Sequence, residues 1–144
     1  MKNPENAVEL FSKGFNCAQA VFSTFSPSLG LNEQQALKIA CPFGAGMGRM
    51  QGTCGAVVGA FLVLGLKYGR YTPEDEEAKE HTYKLVNTFT NKFLALHKTI
   101  NCRELLGADM NTEEGQRVIK EQDLFRTRCL QYVKDAAAIV EELI

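Results

Sequence analysis

The run CGAVVGAFLVLGL, residues 54–66, constrains this chain more than any other stretch. Its 13 residues carry no charge, and Lys67 is the first to interrupt the series. A helix that crosses a bilayer takes about 20 apolar residues, so this one is too short. An apolar helix without a polar face must instead be surrounded by other protein. The run therefore predicts a central buried helix, capped by Thr53, inside a shell of further elements.

The rest of the chain reads as that shell. Ala7, Val8, Leu10 and Phe11 share a first helix that stops near Gly14. Asn16 is placed to cap a second, which carries Val21, Phe22 and Phe25 and ends before Pro27. Asn32 caps a third, and Pro42 closes it. FGAGMGRMQG, residues 43–52, is a glycine-dense connection expected to hold backbone conformations that other residues resist. Thr72 and Pro73, followed by four acidic residues, predict the start of a long helix striped by Ala78, Leu85, Phe89, Phe93 and Leu96. NCRELLG predicts a short helix ended by Gly107, and Asn111 with Glu114 opens the next. Leu130, Val133, Ala137, Val140 and Ile144 form the seam of a final helix. No alternating run of β-branched residues competes with these signals. The expected fold is all-α, a single-domain helical bundle around the central apolar helix, with residues 1–144 as one cysteine-containing domain.

Composition narrows the function. Of 144 residues, 45% are hydrophobic and 23% charged, with a formal net charge of −1. This balance argues against a nucleic-acid partner and against a polybasic membrane anchor. The opening MKNPENAVELFSKG is polar and amphipathic, unlike a secretory signal, and no segment suits membrane insertion. A cytoplasmic location is expected, and the sequence leaves homo-oligomerisation open. In such a compartment the five cysteines point to metal or redox chemistry rather than to a structural disulfide framework.

Three cysteines share one local design. Asn16 precedes Cys17, Thr53 precedes Cys54, and Asn101 precedes Cys102, each pair reading as a cap followed by a thiol in the first helical turn. Glu104 completes a capping box with Asn101. Unpaired N–H groups and the positive end of a helix favour the thiolate, which is both the nucleophile and the metal ligand. Cys129 lies near the start of the last helix, with Arg126 and Arg128 close by. The competing reading of each thiol is a small buried hydrophobe. Gly55 and Gly59 leave one side of the central helix bare, for close packing or for a compact cofactor. Cys54, flanked by glycines, is expected to be the most reactive free thiol. His97 reads first as a cation at a helix C-terminus, and Arg49 as a solvated side chain.

CGAVVG, residues 54–59, together with Cys17 in NCAQAV, Cys102 in CRELLG and Cys129 near the end, resembles the C_GCAxxG_C_C family of redox-active proteins. The similarity covers roughly residues 7–133 and includes FGAGMGRM and LVLGLKYG. The resemblance implies a small protein with four characteristic cysteines and a redox role. Cys41 stands outside the four-cysteine pattern and receives no site role. No CxxCH motif is present, so covalent haem is set aside.

Two chemistries suit such thiols. In the first, Cys17, Cys54, Cys102 and Cys129 are ligands to an iron–sulfur cluster or Zn²⁺. Their spacings of 37, 48 and 27 positions contain no CxxC pair, so the ligands would come from separate helices. In the second, Cys54 attacks in dithiol–disulfide exchange and another cysteine resolves the mixed disulfide. Either requires a redox partner that the sequence does not identify. A third reading is a non-catalytic helical interaction module whose cysteines only pack. The redox readings predict that the four thiols converge and that Cys41 lies apart.

Overall fold

The computed structural model describes residues 2–144. Helices α1 (Asn3–Ser12), α2 (Cys17–Phe25), α3 (Glu33–Ala40), α4 (Gly44–Met47), α5 (Gly55–Tyr68), α6 (Glu76–His97), α7 (Cys102–Leu106), α8 (Glu113–Glu121) and α9 (Leu130–Leu143) follow in order. Among the described residues there is no strand, and the all-α bundle expected from the sequence is the fold.

The apolar run forms α5, and α1, α2, α6 and α9 contribute to the core around it. Val57, Val58, Val63 and Leu64 are buried. Phe61 and Leu62 are only half-buried, because the last turns of α5 run toward the surface, where Gly65 and Leu66 are exposed. The expectation of burial on every side thus holds for the first half of the helix. Along the α2–α5 seam a Cβ at Gly59 would lie 2.8 Å from the Ala18 carbonyl oxygen, so two backbones meet there without an intervening side chain. On another side α6 supplies Phe89 and Phe93, both fully buried. Phe61 meets the Phe89 ring edge-on, with centroids 5.7 Å apart.

Caps decide where several helices begin. Asn16 and Gln19 form a reciprocal capping box on α2. α6 starts later than Thr72 and Pro73 suggest. Arg70 donates to the Pro73 carbonyl at 2.8 Å and pairs with Glu76, and Asp75 accepts from the Ala78 N–H as the cap. The apolar stripe of α6 also ends sooner, since Leu96 is 58% exposed. Thr112, not Asn111, caps α8, because the Asn111 amide is engaged in donating to the Arg49 carbonyl at 2.7 Å. The Glu104 carboxylate accepts from the Thr99 hydroxyl, so the Asn101 box is only half formed.

The glycine-dense connection departs furthest from ordinary geometry. Ala45, Gly46, Met47, Gly48 and Arg49 all have φ between 56° and 73°, and Gln51 has φ 53°. The Gly48 N–H donates to the Gly44 carbonyl at 2.9 Å, closing a left-handed turn. Such a turn brings Cβ against the following carbonyl oxygen and costs roughly 1–2 kcal/mol for each residue other than glycine. Four residues here carry that cost, so surrounding contacts must impose the conformation.

Candidate functional site

The N-terminal end of α5 gathers segments far apart in sequence. Thr53 and Asn101 form an isolated antiparallel bridge. On either side of it the Cys54 N–H donates to the Ile100 carbonyl at 2.7 Å and the Cys102 N–H to the Gly52 carbonyl at 2.6 Å. Thr53 is therefore part of this clip, and Cys54 itself is the N-cap residue of α5. Cys17 and Cys102 open α2 and α7, as their caps predict. Cys129 ends a π-helical segment, Phe125–Cys129, that leads into α9.

These four thiols line one cavity of about 630 Å³. Phe11, Phe15, Leu105 and Leu130 contribute apolar wall, while Arg49 and Arg126 also border it. Arg126 is paired with Asp123. Gly55 explains how Cys17 reaches the site, since a methyl group on residue 55 would collide with Sγ of Cys17 and would lie 2.9 Å from the Phe43 carbonyl oxygen. Cys41 does not border the cavity. It is exposed after α3, where its carbonyl accepts from the Asn16 amide at 2.9 Å.

The electrostatics reverse one expectation. Burial pushes the Cys54 thiol upward, and the nearby Cys17 adds to the rise. Backbone N–H groups of Val57 and Ala56 oppose it without prevailing. Cys17 is likewise raised by burial, against N–H groups of Ala45, Ala18, its own residue and Gly55. Burial, with Cys17 adding, pushes Cys102 up to about 11, although the Gln51 side chain favours its thiolate. Cys129 is pushed up to about 12 by burial, with Cys17 and Cys102 adding and Arg128 opposing. The thiolate-favouring helix starts read from the sequence are present, yet loss of hydration outweighs them. Without a compensating cation the four are neutral thiols near pH 7, Cys54 included.

Other groups support the walls. The Tyr132 hydroxyl donates to the Leu105 carbonyl at 2.7 Å, fixing α7 against α9. His97 packs edge-on to Tyr132 and pairs with Asp135 at 2.8 Å. It is thus a structural partner of α9 at the end of α6. Gln51 escaped the sequence reading. It is 5% exposed in a chain where polar residues are seldom buried, and no motif marks it. Its position directly before Gly52 was the only available signal.

Among the described residues no three His, Cys, Asp or Glu side chains are gathered closely enough to hold a metal ion. No described helix is long and apolar enough to cross a membrane. No curated protein matches the chain, and no solved structure does. A family model does, the one described as "Putative redox-active protein (C_GCAxxG_C_C)", over residues 15–143. Its span starts later and ends later than the motif resemblance suggests, and takes in nearly all of the bundle from Phe15 onward. With all four cysteines inside that span, the chain belongs to the C_GCAxxG_C_C family.

Proposed function

We propose that this is a cytoplasmic redox protein whose Cys17, Cys54, Cys102 and Cys129 hold an iron–sulfur cluster in the cavity at the head of α5. The observation that carries the reading is selective convergence. Four cysteines from separate segments border one cavity, whereas the fifth, Cys41, lies outside. The donor set fits, since four thiolates are the usual ligands of such a cluster. A cluster spreads its ligand sulfurs over several irons. A single Zn²⁺ instead needs all four within about 2.3 Å of one point, hence roughly 4 Å from one another, and suits thiols spaced around a cavity less well. The raised pKa values of the metal-free thiols also fit, because bound metal supplies the positive charge that burial denies the thiolates. When bound, the cluster would supply one-electron transfer. The chain's own residues shape the cavity, place the four sulfurs and limit the access of water.

Anaerobic purification, with iron and acid-labile sulfide analysis and an absorption spectrum, tests this. Iron and sulfide are expected in the wild type and in Cys41→Ser, and lost on serine substitution of any of the four. A protein that takes up neither, even after reconstitution, defeats the cluster reading.

A second reading rests on one specific observation, the pressing of the Cys17 sulfur against Gly55, next to Cys54. In thiol exchange Cys54 would attack an acceptor disulfide. Cys17 would then displace the mixed disulfide, leaving a Cys17–Cys54 bond and two acceptor thiols. Two electrons and two protons pass to the acceptor. Disulfide mapping of iron-free protein after treatment with a small disulfide distinguishes this outcome.

A further inference from the structure

We infer that Gln51 is the positioning residue for Cys102, and that the left-handed turn serves to hold the Gln51 amide against the chain that follows α7. The inference rests on the reading of the four thiols as one site, and adds how one of them is held there.

The observations start with an expensive placement. Gln51 has a left-handed backbone at φ 53°, a conformation that residues with a Cβ rarely adopt, and its polar side chain is 5% exposed. Glycine at this position would avoid the strain, and an apolar residue would avoid the desolvation. The glutamine instead uses every polar group of its side chain and backbone. Its Nε2 donates to the Ala108 carbonyl at 2.9 Å, and its Oε1 accepts from the Met110 N–H at 2.8 Å. Its backbone N–H donates to Ala45 at 3.1 Å, and its carbonyl accepts from Arg103 at 3.3 Å. The Arg103, Ala108 and Met110 contacts grip the first turn of α7, the helix that Cys102 opens, and the chain just after it.

The neighbouring geometry extends the argument. Gly52, the next residue, accepts from the Cys102 N–H at 2.6 Å, so backbone and side chain of consecutive residues hold the same cysteine. At the other end of the turn, Ala45 borders the thiol cavity and its carbonyl accepts from the Gln51 N–H. A right-handed helix there would carry residues 45 and 51 in other directions, and this contact would be lost. Strain over four residues other than glycine persists because these contacts impose it.

The test uses the full-length, reduced, metal-free protein carrying Cys41→Ser, which removes the outer thiol. A short bis-maleimide is added, and the linked cysteine pairs are identified by peptide mass mapping. Gln51→Leu removes every side-chain hydrogen bond. Gln51→Glu keeps an acceptor for the Met110 N–H and loses the donor to the Ala108 carbonyl. Links from Cys102 to Cys17 and Cys54 are expected to fall at least tenfold in Gln51→Leu and severalfold in Gln51→Glu. The Cys17–Cys54 link should stay within twofold of the wild type. Unchanged Cys102 links in Gln51→Glu overturn the inference, and so does an equal fall in all links, which would mark a merely structural role. Should Gln51→Leu fail to fold, Gln51→Glu carries the same two outcomes. Iron analysis of the wild type is separate: absence of iron defeats the cluster reading and leaves the linking result standing.

Discussion

At Gly59 the α2–α5 seam has no room for a methyl group, while at Cys54, little more than one turn away, the same helix borders a cavity of about 630 Å³. The seam is tight because two backbones touch through a glycine. The cavity stays open for a different reason. A strained turn, the Thr53–Asn101 bridge and the Gln51 side chain hold its rim, so its shape does not depend on side chains filling it. Gly55 joins the two regions. It belongs to the seam by contact with α2, and its missing Cβ is what admits the Cys17 sulfur to the cavity. Close packing on one face thus sets the position of a functional group on the other.

The sharpest division between the two regions is expected in alkaline solution. Cys102 and Cys129 are raised from an ordinary value of 9.0 to about 11 and about 12. Between pH 9 and those values the unfolded chain releases protons that the folded state retains, so stability is complete below pH 9 and falls as pH rises. The loss is larger for Cys129, the more strongly raised of the two, and solvent screens part of it at both half-buried thiols. Urea midpoints of the reduced, metal-free protein measure it. The slope should flatten in Cys129→Ser, and a curve unchanged by that substitution would place the sensitivity outside the cavity.

Adding atoms to each region separates them next. Gly59→Ala must displace backbone in the seam and should lower stability by about 1–3 kcal/mol in denaturant titrations. Leu130→Phe adds its atoms beside the cavity and should change stability by less than about 1 kcal/mol, because overpacking is costly only where space is already filled. Equal costs at the two positions would break the distinction. The smallest effect is expected at the turn. Ala45→Gly relieves left-handed strain, partly offset by a more flexible unfolded chain, for a net gain of about 0.5–1 kcal/mol. A loss of stability there would mean that the Ala45 methyl contributes packing that outweighs its strain.

Much of the scaffold was legible in the sequence, since α5 announces itself by uniform apolarity and α2 by its Asn16 cap. Both signals are local, and local physics suffices to decide them. Thr53 and Thr72 were misread as caps because a cap residue can be claimed by something else. α5 starts one residue later, with Cys54 at its N-cap and Thr53 in the bridge, and a turn fastened by Arg70 displaces the second. The four cysteines were readable as a set, but their charge state was not. Helix-start N–H groups are visible in sequence, whereas the depth of burial that outweighs them follows only from packing. The glycines of residues 43–52 signalled unusual backbone. Nothing local shows that Ala45, Met47, Arg49 and Gln51 would share it.

The Thr53–Asn101 bridge has a consequence for folding. It joins positions separated by the whole of α5 and α6, and closing a loop of that length costs about 3 kcal/mol of chain entropy. Packing of Phe61 on Phe89 holds α6 against α5 and shortens that loop, so the meeting of Cys54 with Cys102 depends on contacts remote from either thiol.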